Sequence, residues 1–286
     1  MSVHTAASTL PLHAGIGLRA PHFQQLHIDK PELAWLEVHS ENYFVAGGPA
    51  LASLLALRQR YPISLHSVGL SLGSADALDK THVCQLKTLT ARIEPAAISA
   101  HLSWSSIGGR WFNDLLPLPY TQAALTLVCS HVQQLQDALK RTILLENVSS
   151  YLRLLPEEMP EWVFIAEVAQ RTGCGILLDI NNLYVSACNH GFIATEFLAA
   201  LPCDAVQEIH LAGHEEHDGL LIDTHSQQVA PAVWELYQTA LTQIGPVATL
   251  IEWDQGIPPL ATLLQEARTA EHYLTAQREA RHVLPT

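Results

Sequence analysis

The sequence predicts an α/β protein of the (β/α)8 barrel class, a TIM barrel occupying 1–286 as one domain. Three observations carry that expectation. Short apolar, β-rich runs alternate with helical stretches, as in a parallel sheet with helical crossovers. Eight such units fit into 286 residues, a usual length for this barrel. The runs also close, one after another, on His, Asp or Glu, and in a barrel the C-terminal strand ends share the face where active sites lie.

In chain order the expected strands are 15–19, 35–39, 63–66, 98–101, 142–146, 175–179, 206–210 and 248–252. Helices are expected at 50–60, 78–93, 120–140, 161–171, 193–200, 232–243 and 260–271, with a short one of no clear pattern after the first strand, over 21–28. Pro62, Gly173 and Gly245 stop helices just before the next strand, as such residues do. Gly15-Ile16-Gly17 is a lone GxG without a third glycine at the right spacing, so a dinucleotide fingerprint is rejected. No Walker A, GxSxG or HExxH pattern occurs. The polar stretch 213–231 is long for a βα loop, and loops of that length are often functional.

Composition narrows the function. With 48% hydrophobic and 15% charged residues and a mean hydropathy of +0.14, a large core is expected rather than disorder. Apolar runs are too short to span a membrane. The first 14 residues lack a basic segment followed by an apolar one, so no secretory signal and a cytoplasmic location are expected. A net charge of −13 without a Lys/Arg cluster repels phosphate backbones, which argues against nucleic acid as a partner. The five cysteines (Cys84, Cys129, Cys174, Cys188, Cys203) form no CxxC pair. They read as buried small apolar residues in a reducing compartment. The outlier is histidine, at 16 against 15 Lys plus Arg. Imidazole is the commonest metal ligand. His4, His13, His27, His272 and His282 read as surface residues.

The strand ends hold the rest. They deliver Glu37, His39 and, just beyond, Glu41 from the second strand. The next six deliver His66, His101, Glu146, Asp179, His210 and Glu252. Three imidazoles and three carboxylates suit iron, manganese or zinc rather than an all-oxygen calcium site. With no cysteine, they do not resemble a closed structural zinc site. One buried charge at a strand end is an ordinary core residue. Six together would be costly without a cation to pair them. Six also exceed the needs of one metal, so two metals bridged by Glu146, central in strand order, are expected. Asp223 and His225, two apart in an extended stretch, would point the same way. They form either a third, looser site with Asn181 or Asn182, or a solvated loop. His214 reads as a partner that orients a ligand, and His190 as a helix cap. Trp104, Trp111 and Trp253 read as core or pocket wall. Arg19 would pair with a rim acid or meet a substrate carboxylate.

Taken together, Gly15-Ile16-Gly17-Leu18-Arg19, Glu37-Val38-His39-Ser40-Glu41-Asn42-Tyr43, His101-Leu102-Ser103-Trp104, Glu146-Asn147, Asp179-Ile180-Asn181-Asn182-Leu183-Tyr184-Val185, Asn189-His190-Gly191, Glu208-Ile209-His210-Leu211-Ala212-Gly213-His214, Asp223-Thr224-His225 and Glu252-Trp253-Asp254 resemble the multinuclear non-haem iron-dependent oxidative enzymes. The oxygenase of methanobactin biosynthesis belongs to that family. The resemblance implies a xylose-isomerase-like barrel holding two or three irons. It places His66, His101, Glu146, Asp179, His210 and Glu252 around a pair, and Asn182, Asp223 and His225 around a third. Glu146, Asp179 and His210 are then the expected catalytic groups. The implied activity is dioxygen-dependent oxidation of cysteine residues in a ribosomally made precursor peptide, helped by a small peptide-recognising partner protein. Two rival readings stand beside it. One is a redox-neutral manganese or zinc enzyme on the same fold, a sugar isomerase or epimerase or a phosphodiesterase. The other is a non-catalytic metal store or scaffold.

Overall fold

A computed structural model describes residues 9–283. Eight parallel strands close into a barrel: Ala14–Gly17, Leu36–His39, Ile63–Ser67, Ala97–His101, Leu144–Glu146, Gly175–Asp179, Val206–Leu211 and Ala248–Ile251. Each pairs with its neighbours in sequence, and the first closes on the last through Ala14↔Thr249 and Ile16↔Ile251. Helices outside and side chains inside bury both faces, which is why these strands are near-continuous apolar runs rather than alternating ones. All five residues of Gly175–Asp179 are buried. No helix among the described residues is long and apolar enough to cross a membrane.

The helices start and stop on local chemistry. Asp79 caps Lys80–Ile93 by accepting from the Thr81 N–H, and Thr121 caps Gln122–Leu139 by accepting from the Ala124 N–H. Gly173 ends Glu161–Thr172 in the left-handed conformation, which costs glycine little. The first-strand glycines serve packing. A Cβ on Gly15 would lie 2.6 Å from the buried Trp35 ring, and one on Gly17 would lie 3.0 Å from the Arg19 guanidinium. That close approach accounts for the GxG without any nucleotide.

Several features depart from the sequence expectation. The stretch after Asp179 is not a loop but the helix Ile180–His190, capped by Asp179 itself. His190 is its last residue and not the cap of the next helix, and its ring meets Ser150 Oγ at 2.5 Å. The uncertain first helix forms over Phe23–Asp29, and the last runs on to Val283. Two hairpins rise from the rim. Trp104–Ile107 pairs with Arg110–Leu116, and Glu215–His217 pairs with Leu220–Ile222 inside the long seventh loop. Cys129 and Cys174 are buried as expected, but Cys84, Cys188 and Cys203 are exposed, and all five are free thiols. Trp111 stands 56% exposed and is not pocket wall, whereas Trp253 is buried. Of the expected surface histidines, His13 pairs with Glu271 and His27 with Ser53. His4 and the side chain of His282 lie outside the described residues.

Candidate metal centre

Strand register gathers the rim side chains. His101 stands opposite Glu146, Asp179 opposite His210, and His66 opposite Ser99. Ser99 Oγ lies 2.7 Å from His66 Nδ1, so that nitrogen is engaged and Nε2 faces inward. There it meets His101 Nε2 at 3.2 Å and Glu146 Oε2 at 3.4 Å, while His101 Nε2 and Glu146 Oε2 are 3.2 Å apart. Donors about 2.1 Å from one cation lie roughly 3.0–3.4 Å from each other. These three fit one ion.

The other oxygen of Glu146 belongs to a second group. His210 Nδ1 is 3.7 Å from Glu146 Oε1 and 3.1 Å from Glu252 Oε2, and Asp179 joins them, one donor atom from each of the four within 4.8 Å of the rest. Glu146 is thus the residue common to both groups. All of its neighbours in this second group are buried, and Asp179 and His210 are 0% exposed.

The loop residues come together differently from the extended pair inferred above. His225 has a φ of +45°, in the left-handed region, and its carbonyl is held by the N–H groups of Asp254 and Gln255 at 2.7 and 3.3 Å. A non-glycine residue pinned in that region is strained backbone of the kind found at functional sites. The turn brings His225 Nε2 to 2.7 Å from Asp223 Oδ1 and 4.0 Å from Asp179 Oδ2, with Nδ1 3.3 Å from Glu252 Oε2. The two candidate asparagines separate cleanly. Asn181 is consumed: Nδ2 donates to Asp223 Oδ1 at 2.7 Å, and Oδ1 lies 2.8 Å from His214 Nδ1. Asn182 donates Nδ2 to the Asn147 carbonyl at 3.1 Å, and its Oδ1 is buried without a partner among the described residues. Asn182, Asp223 and His225 line one cavity of about 170 Å³ with His66, His101 and Glu252, bordered by Val68, Leu115 and Val148. His214 is therefore a support for Asn181. On the three-ion arrangement that the resemblance implies, Asn182→Ala is expected to release the ion nearest Asp223 and His225 while leaving the central pair in place. Asn181→Ala should only weaken that ion. Metal analysis of both variants distinguishes them, and equal loss would reverse the assignment.

Asn147 and Glu208 escape the sequence reading. Asn147 stands there only as part of a phrase, yet its side chain clamps the backbone of Asp179, accepting from N–H and donating to C=O, each at 2.9 Å. Glu208 and Glu37, 0% and 1% exposed, flank the far nitrogen of His210. The signal for Glu208 is its two-residue spacing from His210, the same pattern that links Asp223 and His225. Arg19 pairs with Asp254 and Glu252 and reaches His39 at 3.1 Å. His39 stays beside the cluster, its ring 5.8 Å from that of His66. Glu41 turns away to accept from Ser67 and Gly69 and to pair with His82.

The electrostatics fit a cation-binding set. Burial pushes the Glu146 carboxyl well above its usual range and that of Asp179 up to about 7. Burial also depresses His66 strongly and His101 to about 4, leaving neutral imidazoles, the form that ligates. For Glu252 burial is outweighed by His210 and His225, which hold it well below the usual carboxylate range. Glu146 Oε2, Asp179 Oδ2, Asn182 Oδ1 and His225 Nε2 are buried without hydrogen-bond partners among the described residues. The buried oxygens among them are acceptors left unpaired, which is costly, and divalent cations would satisfy them.

An eight-stranded parallel barrel with His, Asp and Glu side chains gathered at the strand C-termini is a TIM barrel with a candidate metal site. Among solved structures the chain is similar to endonuclease IV from Thermus thermophilus (TM-score 0.61, 16% identity, 92% of this chain and 99% of that one). It is similar too to a xylose isomerase-like TIM barrel protein from Mycobacterium smegmatis in complex with magnesium (TM-score 0.60, 14% identity, 95% and 99%) and to a D-tagatose 3-epimerase-like protein (TM-score 0.62, 14% identity, 94% and 99%). At such identities these likenesses establish the fold, a xylose-isomerase-like barrel. Closer in sequence are UPF0276 proteins of Chromobacterium violaceum (54% identical over 267 residues, 93% of this chain and 96% of that one) and of Acaryochloris marina (50% over 265 residues, 93% and 96%). Residues 13–275 match the family described as RiPP precursor modification enzyme MbnB/TglH/ChrH, and the chain belongs to that family, whose members modify the precursors of ribosomally made peptides.

Proposed function

We propose that this protein is a multinuclear iron-dependent oxidase or oxygenase that uses dioxygen to modify cysteine residues of a ribosomally made precursor peptide. The observation that carries the reading is Glu146, whose two oxygens face two different donor groups. Such a carboxylate suits a pair of cations. The donors are imidazole nitrogens and carboxylate oxygens, a set that suits iron among the first-row metals. The irons, when bound, supply the redox chemistry with dioxygen.

The chain's own groups do the rest. His66, His101 and Glu146 would hold one ion, and Glu146, Asp179, His210 and Glu252 the other. Asn182, Asp223 and His225 would hold a third. The apolar border of Val68, Leu115 and Val148 limits water around a bound thiolate. Arg19 neutralises Asp254 and Glu252 rather than meeting substrate. A small partner protein that recognises the peptide is part of this reading, as is a cytoplasmic location, which the free thiols Cys84, Cys188 and Cys203 suit.

The test is turnover of a cysteine-bearing precursor by protein purified without oxygen, with metal analysis and Mössbauer spectroscopy. Iron in at least two positions, with oxygen consumed in step with peptide oxidised, is the expected result. Manganese or zinc without iron, and turnover under nitrogen, would transfer the protein to the redox-neutral reading. That reading lacks a specific support here, since no lysine among the described residues lines the cavity to serve a hydride-shift isomerase.

A further inference from the structure

Beneath the cation-facing side of His210 lies a buried acidic pair that the ligand set does not use. His210 Nε2 is 3.2 Å from Glu37 Oε1 and 3.4 Å from Glu208 Oε1. The two acids arrive from different places. Glu208 sits two positions before His210 on the same strand and so points to the same side. Glu37 belongs to the second strand, which does not neighbour the seventh in the barrel order, so its contact with His210 spans the interior. The two acids are also held differently. Glu37 Oε2 accepts from Ser64 Oγ at 2.9 Å, which fixes the direction of its other oxygen. Both oxygens of Glu208 lack a hydrogen-bond partner among the described residues, as does His210 Nε2. Glu37 Oε1 is thus the nearer acidic neighbour of that nitrogen and not a bonded acceptor in the metal-free chain.

We propose that Glu37 is the positioning residue for His210: tethered by Ser64 and 3.2 Å from Nε2, it becomes the acceptor of the Nε2–H when the cations bind and so commits Nδ1 to them. The need is chemical. A neutral imidazole carries one N–H, and a ring that ligates through Nδ1 must keep its proton on Nε2. An acceptor fixed at Nε2 makes that tautomer the stable one and stiffens the ring, as carboxylates behind ligating histidines do. Nδ1 is the nitrogen that faces Glu252 Oε2 at 3.1 Å and Glu146 Oε1 at 3.7 Å. On the far side of the pair, Ser99 does for His66 what Glu37 does for His210, but with the nitrogens reversed. His66 ligates through Nε2 and His210 through Nδ1, and the partner behind each ring decides which. Glu208 is the auxiliary member, untethered and reaching the same nitrogen from the same strand.

The proposal rests on the paired-cation reading and not on oxygen chemistry, so the probe is cobalt(II) alone, added to the full chain under nitrogen. Binding is followed by visible absorption and equilibrium dialysis, and the protonated ring nitrogen of His210 by NMR of 15N-labelled histidine in a parallel sample loaded with diamagnetic zinc(II). The wild-type protein is expected to show His210 protonated at Nε2. In Glu37→Gln, His210 should ligate through a mixture of its two nitrogens. One cobalt should bind roughly 10–100-fold more weakly, with shifted absorption bands, while the ion at His66 and His101 keeps its affinity. Glu208→Gln should change the same affinity by less than about threefold, below the range expected of a fixed partner. Ser64→Ala, a milder change that removes only the tether, should move it in the direction of Glu37→Gln and serves if that variant does not fold. An unchanged tautomer and an unchanged second cobalt in Glu37→Gln would overturn the proposal. So would a larger effect from Glu208→Gln. Wild-type protein that takes up fewer than two cobalt ions would defeat the paired-cation reading and the proposal with it. Lack of peptide oxidation alongside normal cobalt binding would count against the oxygenase reading alone.

Discussion

Glu146→Ala is expected to abolish binding of both central cations and to lower peptide-modifying activity by at least about a thousandfold, the scale of losing a metal's charge stabilisation. The reason is its shared position. One oxygen stands with His66 and His101, the other with His210, and Asp179 and Glu252 complete the second group. Removing His66 or Glu252 takes one donor from one ion. Removing Glu146 takes a donor and a negative charge from each. The fold should survive, because Leu144 and Leu145 carry the apolar contacts of that strand and the lost group is a buried carboxyl already at a cost. In the metal-free state Glu146→Ala should unfold no more easily than wild type. Its deficit should appear only when metal is added. His225→Ala is the contrast, since it touches Asp223, Asp179 and Glu252 but not Glu146, the residue common to both central groups, and it should lose mainly the third ion. Metal counts per chain for the two variants decide the matter. Full occupancy of the central positions in Glu146→Ala would refute the bridging role.

The barrel is legible because its strands are buried on both faces and read as apolar runs, each closed by one polar residue. The strand-borne part of the site is legible for the same reason: one rule, the residue within one position of the C-terminal end of strands three to eight, collects His66, His101, Glu146, Asp179, His210 and Glu252. Residues whose positions depend on turns are less so. Asp223 and His225 do meet, but through a left-handed turn at His225 that no alternation pattern contains. The helix after Asp179 escapes a sequence reading because Asn181 and Asn182 look like loop formers, whereas Asp179 caps that helix and tertiary contacts hold it. Choosing between those two asparagines requires knowing that His214 and Asp223 occupy Asn181. Contacts that cross the interior, such as Glu37 with His210, leave no mark at short sequence range.

Protonation of the site gives the second large effect. Burial raises the carboxyls of Glu146, Asp179 (to about 7) and Glu208 (to about 8) above the unfolded range near 4. The folded, metal-free chain therefore holds protons that the unfolded chain releases as pH rises from about 4 to 8. Stability from these groups is greatest at the acid end of that window and falls towards its alkaline end. His210 and His225 act in the same direction. Burial opposes their protonation, but Glu37 and Glu252 at the first and Asp223 at the second outweigh it and raise both, so their contribution also fades as pH rises. Glu252 and Asp254 (about 2) are depressed, and their contribution is fully present above about pH 5 and constant beyond it. A cation reverses the slope. It displaces the protons, so its binding strengthens with pH. At about 1,000 times the dissociation constant, the ion adds roughly 4 kcal/mol, on the order of 10 °C in Tm for a chain of this size. The gap in Tm between metal-loaded and chelator-stripped protein is therefore expected to widen from about pH 5 to about pH 8. Asp179→Asn should flatten the fall in the stripped protein, because an amide holds no proton to release. A gap that stays constant or narrows across that range would mean that these buried acids are not the groups a cation neutralises.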